Sequence, residues 1–243
     1  MKLFRRSLLM MGSLCALGWF IIRDICFLAL LPLIPLGIAF YRFGHTDFFK
    51  RLWLNGVMAF LCLLICTYTV SIGLFEGRGW LMLIFALLAV AFTAVRMSCK
   101  EWARISGWWM TLFLLVFTVM FIATLPGVRI REELPSCDNW GDILVFYLLA
   151  FAEPLALGRE YRSSPLALGI LLVPFGSASV LALGTGAFEQ AEYAYLSVWT
   201  GVSIFSLHHL EGILLCLYYG AGTLRVAHFV SKCAQVCRKR IRN

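Results

Sequence analysis

The stretch DILVFYLLAFAEP, residues 142–154, decides the class of fold. It is apolar from Ile143 to Ala152, and with the residues that follow it is long enough to cross hydrocarbon as a helix. Glu153 is the one acidic residue that falls inside a predicted membrane-crossing helix. A carboxylate in hydrocarbon is costly, so Glu153 either faces a cavity, a partner or an ion path, or reaches the headgroups from the end of its helix.

Pro154 follows this carboxylate directly and removes one backbone N–H from the helix. The carbonyl that this N–H would have bonded is then freed in the same turn. Glu153 and Pro154 together predict a broken helix, in which unwound carbonyls and a polar side chain form a site in the middle of the membrane.

The composition of the whole chain indicates the same class of protein. Of the 243 residues, 61% are hydrophobic and 14% are charged, and the mean hydropathy is +0.86. Soluble proteins average about 25% charged residues. We therefore predict an all-α, polytopic integral membrane protein with a single transmembrane domain over residues 1–243, in which 231–243 form a basic carboxyl-terminal tail.

Nine apolar segments are candidates for membrane-crossing helices, and the longer ones reach the ~20 residues that a crossing needs. The segments at 7–22 and 194–207 are short enough to be half-helices. We predict a bundle of eight or nine transmembrane helices, depending on whether 194–207 crosses. The nine segments are 7–22, 25–41, 52–75, 80–95, 107–126, 142–157, 165–187, 194–207 and 212–230.

Basic residues orient the predicted bundle. With a cytoplasmic amino terminus, the inner loops are much richer in Lys and Arg than the outer loops, as at Arg42, Lys50 and Arg51. If 194–207 does not cross, the basic tail also ends in the cytoplasm, whereas nine crossings leave it outside; a missing tenth helix is a third alternative. The net charge of +8 otherwise indicates contact with anionic lipid headgroups.

Arg225 is the only basic residue well inside a predicted crossing, in LLCLYYGAGTLRVAHF, residues 214–229. A cation at this depth needs a partner, a cluster of carbonyls or water, and Glu153 is the candidate partner. The two charges lie at similar depths if 194–207 does not cross and at opposite depths if it does. Snorkelling of Arg225 to an interface is the alternative.

Motifs for enzymatic, metal or nucleic-acid chemistry are weak. The run HHLE at 208–211 lacks the zinc-protease spacing, in which two histidines stand four residues apart with a glutamate between them. Cys62 and Cys66 are one helical turn apart without a nearby histidine pair. No loop is long enough to fold as a basic and aromatic module. We predict no enzyme activity, no metal, no cofactor and no nucleic-acid partner.

Three stretches carry a family likeness. The first is AVRMSCKEWARIS, residues 94–106, which looks like a cytoplasmic link with a small basic turn before an Ala-Arg pair. The second is the stretch 142–154, and the third runs from Gly186 to Arg225. In this order they resemble the spore germination permeases, the multispan subunits of germinant receptors within the amino acid, polyamine and organocation transporter superfamily.

The resemblance implies a transporter-like fold of inverted repeats, shortened in this chain, that holds substrate at unwound parts of two helices. Gly12 and Gly18 are the break points that the first helix offers. Glu153, Pro154 and Arg225 are the other residues expected along a substrate or ion path, and no catalytic or metal-binding residue is expected.

The resemblance also implies a function, a location and partners. The function is the sensing or transport of a small nutrient, such as an amino acid, during spore germination. The location is the bacterial cytoplasmic membrane or the spore inner membrane. The partners, besides membrane lipids and the nutrient, are a large membrane-attached receptor subunit and a lipoprotein subunit.

Two other functions stay open at the level of the sequence. The first is a non-transporting protein that assembles or modulates a receptor. The short first segment favours it, and so do three departures from the family pattern: Ala194 where the family has proline, His209 where it has arginine, and Leu217 or Tyr218 where it has tryptophan. The second is a general amino acid permease of vegetative cells.

Overall fold

A computed structural model describes residues 13–43, 52–75, 79–94, 99–128, 139–158, 161–201 and 210–242. Every regular element among these residues is a helix. Short 3-10 helices cover Phe27–Leu30 and Leu125–Gly127. The α-helices are α1 (Leu14–Arg23), α2 (Leu33–Phe43), α3 (Leu52–Phe75), α4 (Trp80–Ala94), α5 (Cys99–Thr124), α6 (Trp140–Leu157), α7 (Ser164–Leu183), α8 (Thr185–Gln190), α9 (Ala194–Thr200) and α10 (Leu210–Arg242).

Five helices of the described chain, α3, α5, α6, α7 and α10, contain stretches long and apolar enough to cross a membrane. The prediction of an all-α integral membrane protein is confirmed at this level. The segments Leu14–Arg23 and Phe27–Phe43 are shorter apolar helices, and α4 has 15 residues. The count of eight or nine crossings stays a prediction.

The helices are arranged around α10 and α1. Helix α10 packs against α3, α4 and α5, while α1 packs against α3 and α6, and α2 against α7. Nearly every side chain of α1 is buried. At 1.5 Å per residue its 10 residues span about 15 Å, half of a ~30 Å hydrocarbon layer. One end of α1 therefore lies inside the bundle, and the other reaches a polar edge at Arg23.

The structure overturns one predicted helix break, divides one predicted segment and shows that the basic tail is helical. Helix α6 continues through Glu153 and Pro154 to Leu157, so the predicted break is absent; proline removes only one N–H, and the remaining turns stay bonded. The predicted tail at 231–243 is helical as far as Arg242, because this basic segment contains neither Gly nor Pro to end α10. The segment at 165–187 divides at Gly184, whose φ of 91° lies in the region that glycine tolerates.

The segment predicted at 194–207 begins with a short helix. Helix α9 has 7 residues, about 10 Å, which is too short to cross hydrocarbon. Whether the whole segment is a half-helix or crosses stays a prediction. The rest of that segment, 202–207, lies outside the described residues.

Candidate functional site

Glu153 of α6 and Arg225 of α10 form an ion pair inside the bundle. Oε1 of the carboxylate lies 3.0 Å from Nε of the guanidinium, and the side chains are 0% and 2% exposed. The two groups are not aligned as a hydrogen bond, so the contact is an attraction between charges. The pairing that the sequence suggested is therefore present, and both side chains are buried within the bundle.

The start of α1 holds the other oxygen of Glu153. Oε2 accepts a hydrogen bond from the backbone N–H of Cys15 at 2.8 Å. Cys15 is the second residue of α1, and its N–H is one of those that a helix leaves without an internal partner. The positive end of the helix dipole also favours a carboxylate. A guanidinium and a helix end thus share one carboxylate.

Pro154 contributes to this arrangement through the carbonyl that it leaves free. Because proline has no N–H, the carbonyl of Ala150, four residues earlier, loses its usual helical partner. The hydroxyl of Ser13, directly before α1, donates to this carbonyl at 3.2 Å. The proline therefore provides an acceptor that fixes the start of α1 beside Glu153 while α6 stays continuous.

Arg225 belongs to a basic face of α10. Its guanidinium carbon lies 5.4 Å from the ring centre of Tyr161. Within the described chain, Nη2 of Arg225 and Nε2 of His228, one turn further on, are buried and have no hydrogen-bond partner. Lys232 follows and donates to the carbonyl of Leu157 at 2.6 Å, at the negative end of α6. The two unpartnered nitrogens leave capacity for a ligand or water beside the ion pair.

A network of thiols and one phenol surrounds the start of α1. The Tyr218 hydroxyl donates to the carbonyl of Leu14 at 3.2 Å, and the Cys66 thiol donates to the Tyr218 oxygen at 3.5 Å. Sγ of Cys62 lies 3.9 Å from Sγ of Cys66. The sequence indicated only small apolar side chains here; the one-turn spacing of the two cysteines was the available signal. Among the described residues, no group of three His, Cys, Asp or Glu side chains is arranged to hold a metal ion.

The two glycines expected as break points have different outcomes. Gly18 lies within the continuous helix α1, where a Cβ would collide with the Tyr218 hydroxyl and approach Ile65. The predicted break at Gly18 is therefore wrong: a helix bonds its own backbone groups inside an apolar bundle, and the glycine serves the close approach of α10. Gly12 lies outside the described residues.

The opposite end of α1 forms a polar edge. Nε of Arg23 lies 3.5 Å from a carboxylate oxygen of Asp142, at the start of α6. The carboxylate of Asp24 accepts a hydrogen bond from the N–H of Tyr195 at 3.1 Å. Burial raises the pKa of Asp24 from 3.8 to about 6, although hydrogen bonds from the backbone at 193–195 oppose the shift. The folded protein therefore binds a proton at Asp24 more tightly than the unfolded chain does.

Apolar helices long enough to span a membrane, arranged around an internal ion pair, define a polytopic membrane protein with a charged site inside its bundle. No protein-family model, curated protein or solved structure matches this chain.

Proposed function

We propose that this protein is a permease-like membrane subunit that senses or transports a small zwitterionic nutrient, such as an amino acid, during spore germination. The observation that carries the proposal is the Glu153–Arg225 pair at the start of α1. Intramembrane ionisable residues that face the bundle interior commonly mark substrate or ion paths.

The pair presents the two charges that an α-amino acid needs. Arg225 and the N–H groups at the start of α1 suit a carboxylate, and Glu153 suits an ammonium group. In the structure, the Glu153 side chain occupies the position that the carboxylate of an amino acid would take, with one oxygen beside Arg225 and the other bonded to the Cys15 N–H. An amino acid would exchange with this internal pairing: its carboxylate would take Arg225 and its ammonium would take Glu153. Nη2 of Arg225 provides a further donor for the incoming carboxylate.

The finer features of the proposal rest on the sequence likeness and on the position of the pair. The stretches 94–106, 142–154 and 186–225 resemble the spore germination permeases. The pairing of Glu153 with Arg225 favours the arrangement in which 194–207 does not cross, with eight crossings and both termini in the cytoplasm. In this proposal the bundle is a shortened inverted-repeat fold in the spore inner membrane, beside a large membrane-attached subunit and a lipoprotein.

The experiment compares binding and folding in matched variants. Purified protein in detergent is tested with radiolabelled L-amino acids one at a time, and spores that carry each variant as the sole copy are tested for germination with the amino acid that binds. Glu153→Gln should abolish saturable binding and the germination response. The matched control is Glu101→Gln, an exposed carboxylate at the start of α5, which should behave as wild type.

The double variant Glu153→Gln with Arg225→Met separates lost binding from lost folding, because it leaves no unpaired charge in the bundle. We expect it to insert and fold but not to bind. Undiminished binding in this variant, or germination unchanged in Glu153→Gln, would remove the proposed role of the pair.

A non-transporting assembly subunit is the second candidate. It is favoured by the internal pairing itself, since the two charges already neutralise each other and both are buried. Three cavities among the described residues are lined by other side chains. Wild-type protein that binds none of the amino acids, but whose deletion prevents assembly of the receptor subunits, would support this candidate.

A further inference from the structure

Two neighbouring cavities lie at the polar edge of the bundle, and neither is lined by Glu153 or Arg225. The first has a volume of about 340 Å³ and is lined by four charged side chains, Arg23, Asp24, Asp142 and Glu189, together with Asn139 and apolar residues. Three of these four side chains are acidic. Because carboxylates outnumber guanidinium groups in its lining, the cavity favours a ligand that carries a positive charge.

The second cavity is an apolar groove of about 510 Å³. Leu28, Pro32 and Leu36 line one side, and Ile143 and Tyr147 of α6 line the other. The Tyr147 hydroxyl donates to the carbonyl of Ala29 at 2.6 Å, so the polar group of this side chain is bonded and its ring faces the groove. The groove therefore suits hydrocarbon rather than a polar group.

The two cavities adjoin at α6. Ile143 lines both, and Asp142 of the charged cavity lies between Trp140 and Ile143 of the groove. From Trp140 to Tyr147 the groove follows two turns of α6, about 10 Å at 1.5 Å per residue. A ligand that fills both spaces is polar at one end and apolar along a chain. Trp140 is 74% exposed at the junction, as expected of an aromatic ring at the level of the headgroups.

The charges of the first cavity indicate which amphiphile fits. Arg23 is half exposed and lies 3.5 Å from Asp142, so its guanidinium can also meet a phosphate. Asp24 and Asp142 offer carboxylate oxygens to an ammonium group, beside the hydrogen bonds that Asp24 accepts from the Tyr195 N–H and Asp142 from the Asn139 amide. A headgroup with both a phosphate and an ammonium matches this set, whereas a headgroup with only negative charge meets more carboxylates than cations.

We propose that the charged cavity and the apolar groove together bind one zwitterionic aminophospholipid, with its ammonium against Asp24 and Asp142, its phosphate on Arg23 and one acyl chain in the groove beside α6. This site is independent of the Glu153–Arg225 pair and of the function proposed above.

Lipid retention measured by native mass spectrometry tests the proposal. The full chain is delipidated in detergent and mixed in turn with phosphatidylethanolamine, phosphatidylcholine or phosphatidylglycerol of the same acyl chains. One phosphatidylethanolamine should be retained. Phosphatidylcholine should bind about tenfold more weakly, because its quaternary ammonium cannot donate hydrogen bonds. Equal retention of the three lipids, or a preference for phosphatidylglycerol, would overturn the proposal.

Variants locate the bound lipid. Ala29→Phe should fill the groove and reduce retention of phosphatidylethanolamine about tenfold, while Leu148→Phe, on the exposed side of α6, should leave it unchanged. Leu36→Trp, at the half-exposed end of the groove, is the second groove variant if Ala29→Phe fails to fold. Asp142→Asn should lower retention of phosphatidylethanolamine and narrow its difference from phosphatidylcholine.

The following outcomes would contradict the proposed lipid site. Unchanged retention in a folded groove variant would mean that the lipid binds elsewhere. A retained fatty acid, or dimers that both groove variants abolish, would assign the groove to a different occupant.

Discussion

Replacing Glu153 by glutamine removes one negative charge from the bundle and keeps an oxygen that can accept the Cys15 N–H. Two unit charges separated by 3.0 Å attract by about 5.5 kcal/mol at an effective dielectric constant of ~20. Part of this attraction offsets the desolvation of both ions, and removal of one partner leaves Arg225 unpaired at 2% exposure. We expect Glu153→Gln to lower the free energy of unfolding by about 3–5 kcal/mol.

The reciprocal variant and the double variant complete a thermodynamic cycle. Arg225→Met leaves Glu153 unpaired, although the start of α1 still stabilises its carboxylate through Cys15. The double variant contains neither charge and fills the space of the guanidinium stem with an apolar chain. Its destabilisation should be smaller than the sum of the two single losses by about 3 kcal/mol, because the unpaired-charge cost is absent.

Reversible unfolding in mixed micelles, followed by far-ultraviolet circular dichroism as the denaturing detergent is increased, measures the cycle. Glu101→Gln provides the control for loss of an exposed carboxylate and should lower the free energy of unfolding by no more than about 1 kcal/mol, the contribution of an exposed charge in the first turn of a helix. Single-variant losses below about 1 kcal/mol, or losses that simply add, would show that water reaches the pair and screens it, which would refute its burial.

Two further predictions concern the ends and the packing of α1. Gly18→Ala should destabilise the protein by about 1–3 kcal/mol because the new Cβ collides with the Tyr218 hydroxyl. Adding Tyr218→Phe should recover part of this loss in the same unfolding assay, and a purely additive result would contradict the collision. Because burial raises the pKa of Asp24 to about 6, the stability that its protonation contributes is present at pH 4 and lost as the pH rises through 6. Asp24→Asn, which keeps an acceptor for the Tyr195 N–H, should therefore raise the free energy of unfolding at pH 7.5 and make it depend less on pH between 4.5 and 7.5. An unchanged pH dependence in this variant would mean that another group causes it.

The class of fold and the Glu153–Arg225 pair could be predicted from the sequence. Both follow from the free-energy cost of placing polar and charged groups in the hydrocarbon of a bilayer. Long apolar segments must form helices when water is excluded, which is why α3 and α4 agree with the predicted segments at 52–75 and 80–95. The same cost makes Glu153 and Arg225 conspicuous, and opposite charges in hydrocarbon are expected to meet. Local composition was sufficient for these conclusions.

Other parts of the site depend on tertiary contacts that local patterns do not contain. The sequence marks Pro154 as a helix breaker, but the freed carbonyl of Ala150 is bonded by Ser13, which is 137 residues earlier in the chain. Gly18 is equally ambiguous from sequence: a break and a close helix contact both require a missing side chain, and the position of Tyr218 decides between them. Shorter helices such as α9 are stabilised by burial against their neighbours rather than by their own length.

A buried ion pair is weak evidence for stability, because well-packed apolar residues of the same volume commonly stabilise a protein as much or more. The Glu153–Arg225 pair also joins three helices, since α6, α10 and the amino-terminal end of α1 all meet at the Glu153 carboxylate. A helix end that points at a carboxylate inside a bundle is the arrangement by which transporters bind anionic groups. The charge-free double variant distinguishes the two roles: if it keeps stability and loses amino acid binding, the pair serves a ligand, and if it keeps neither, the pair serves the fold.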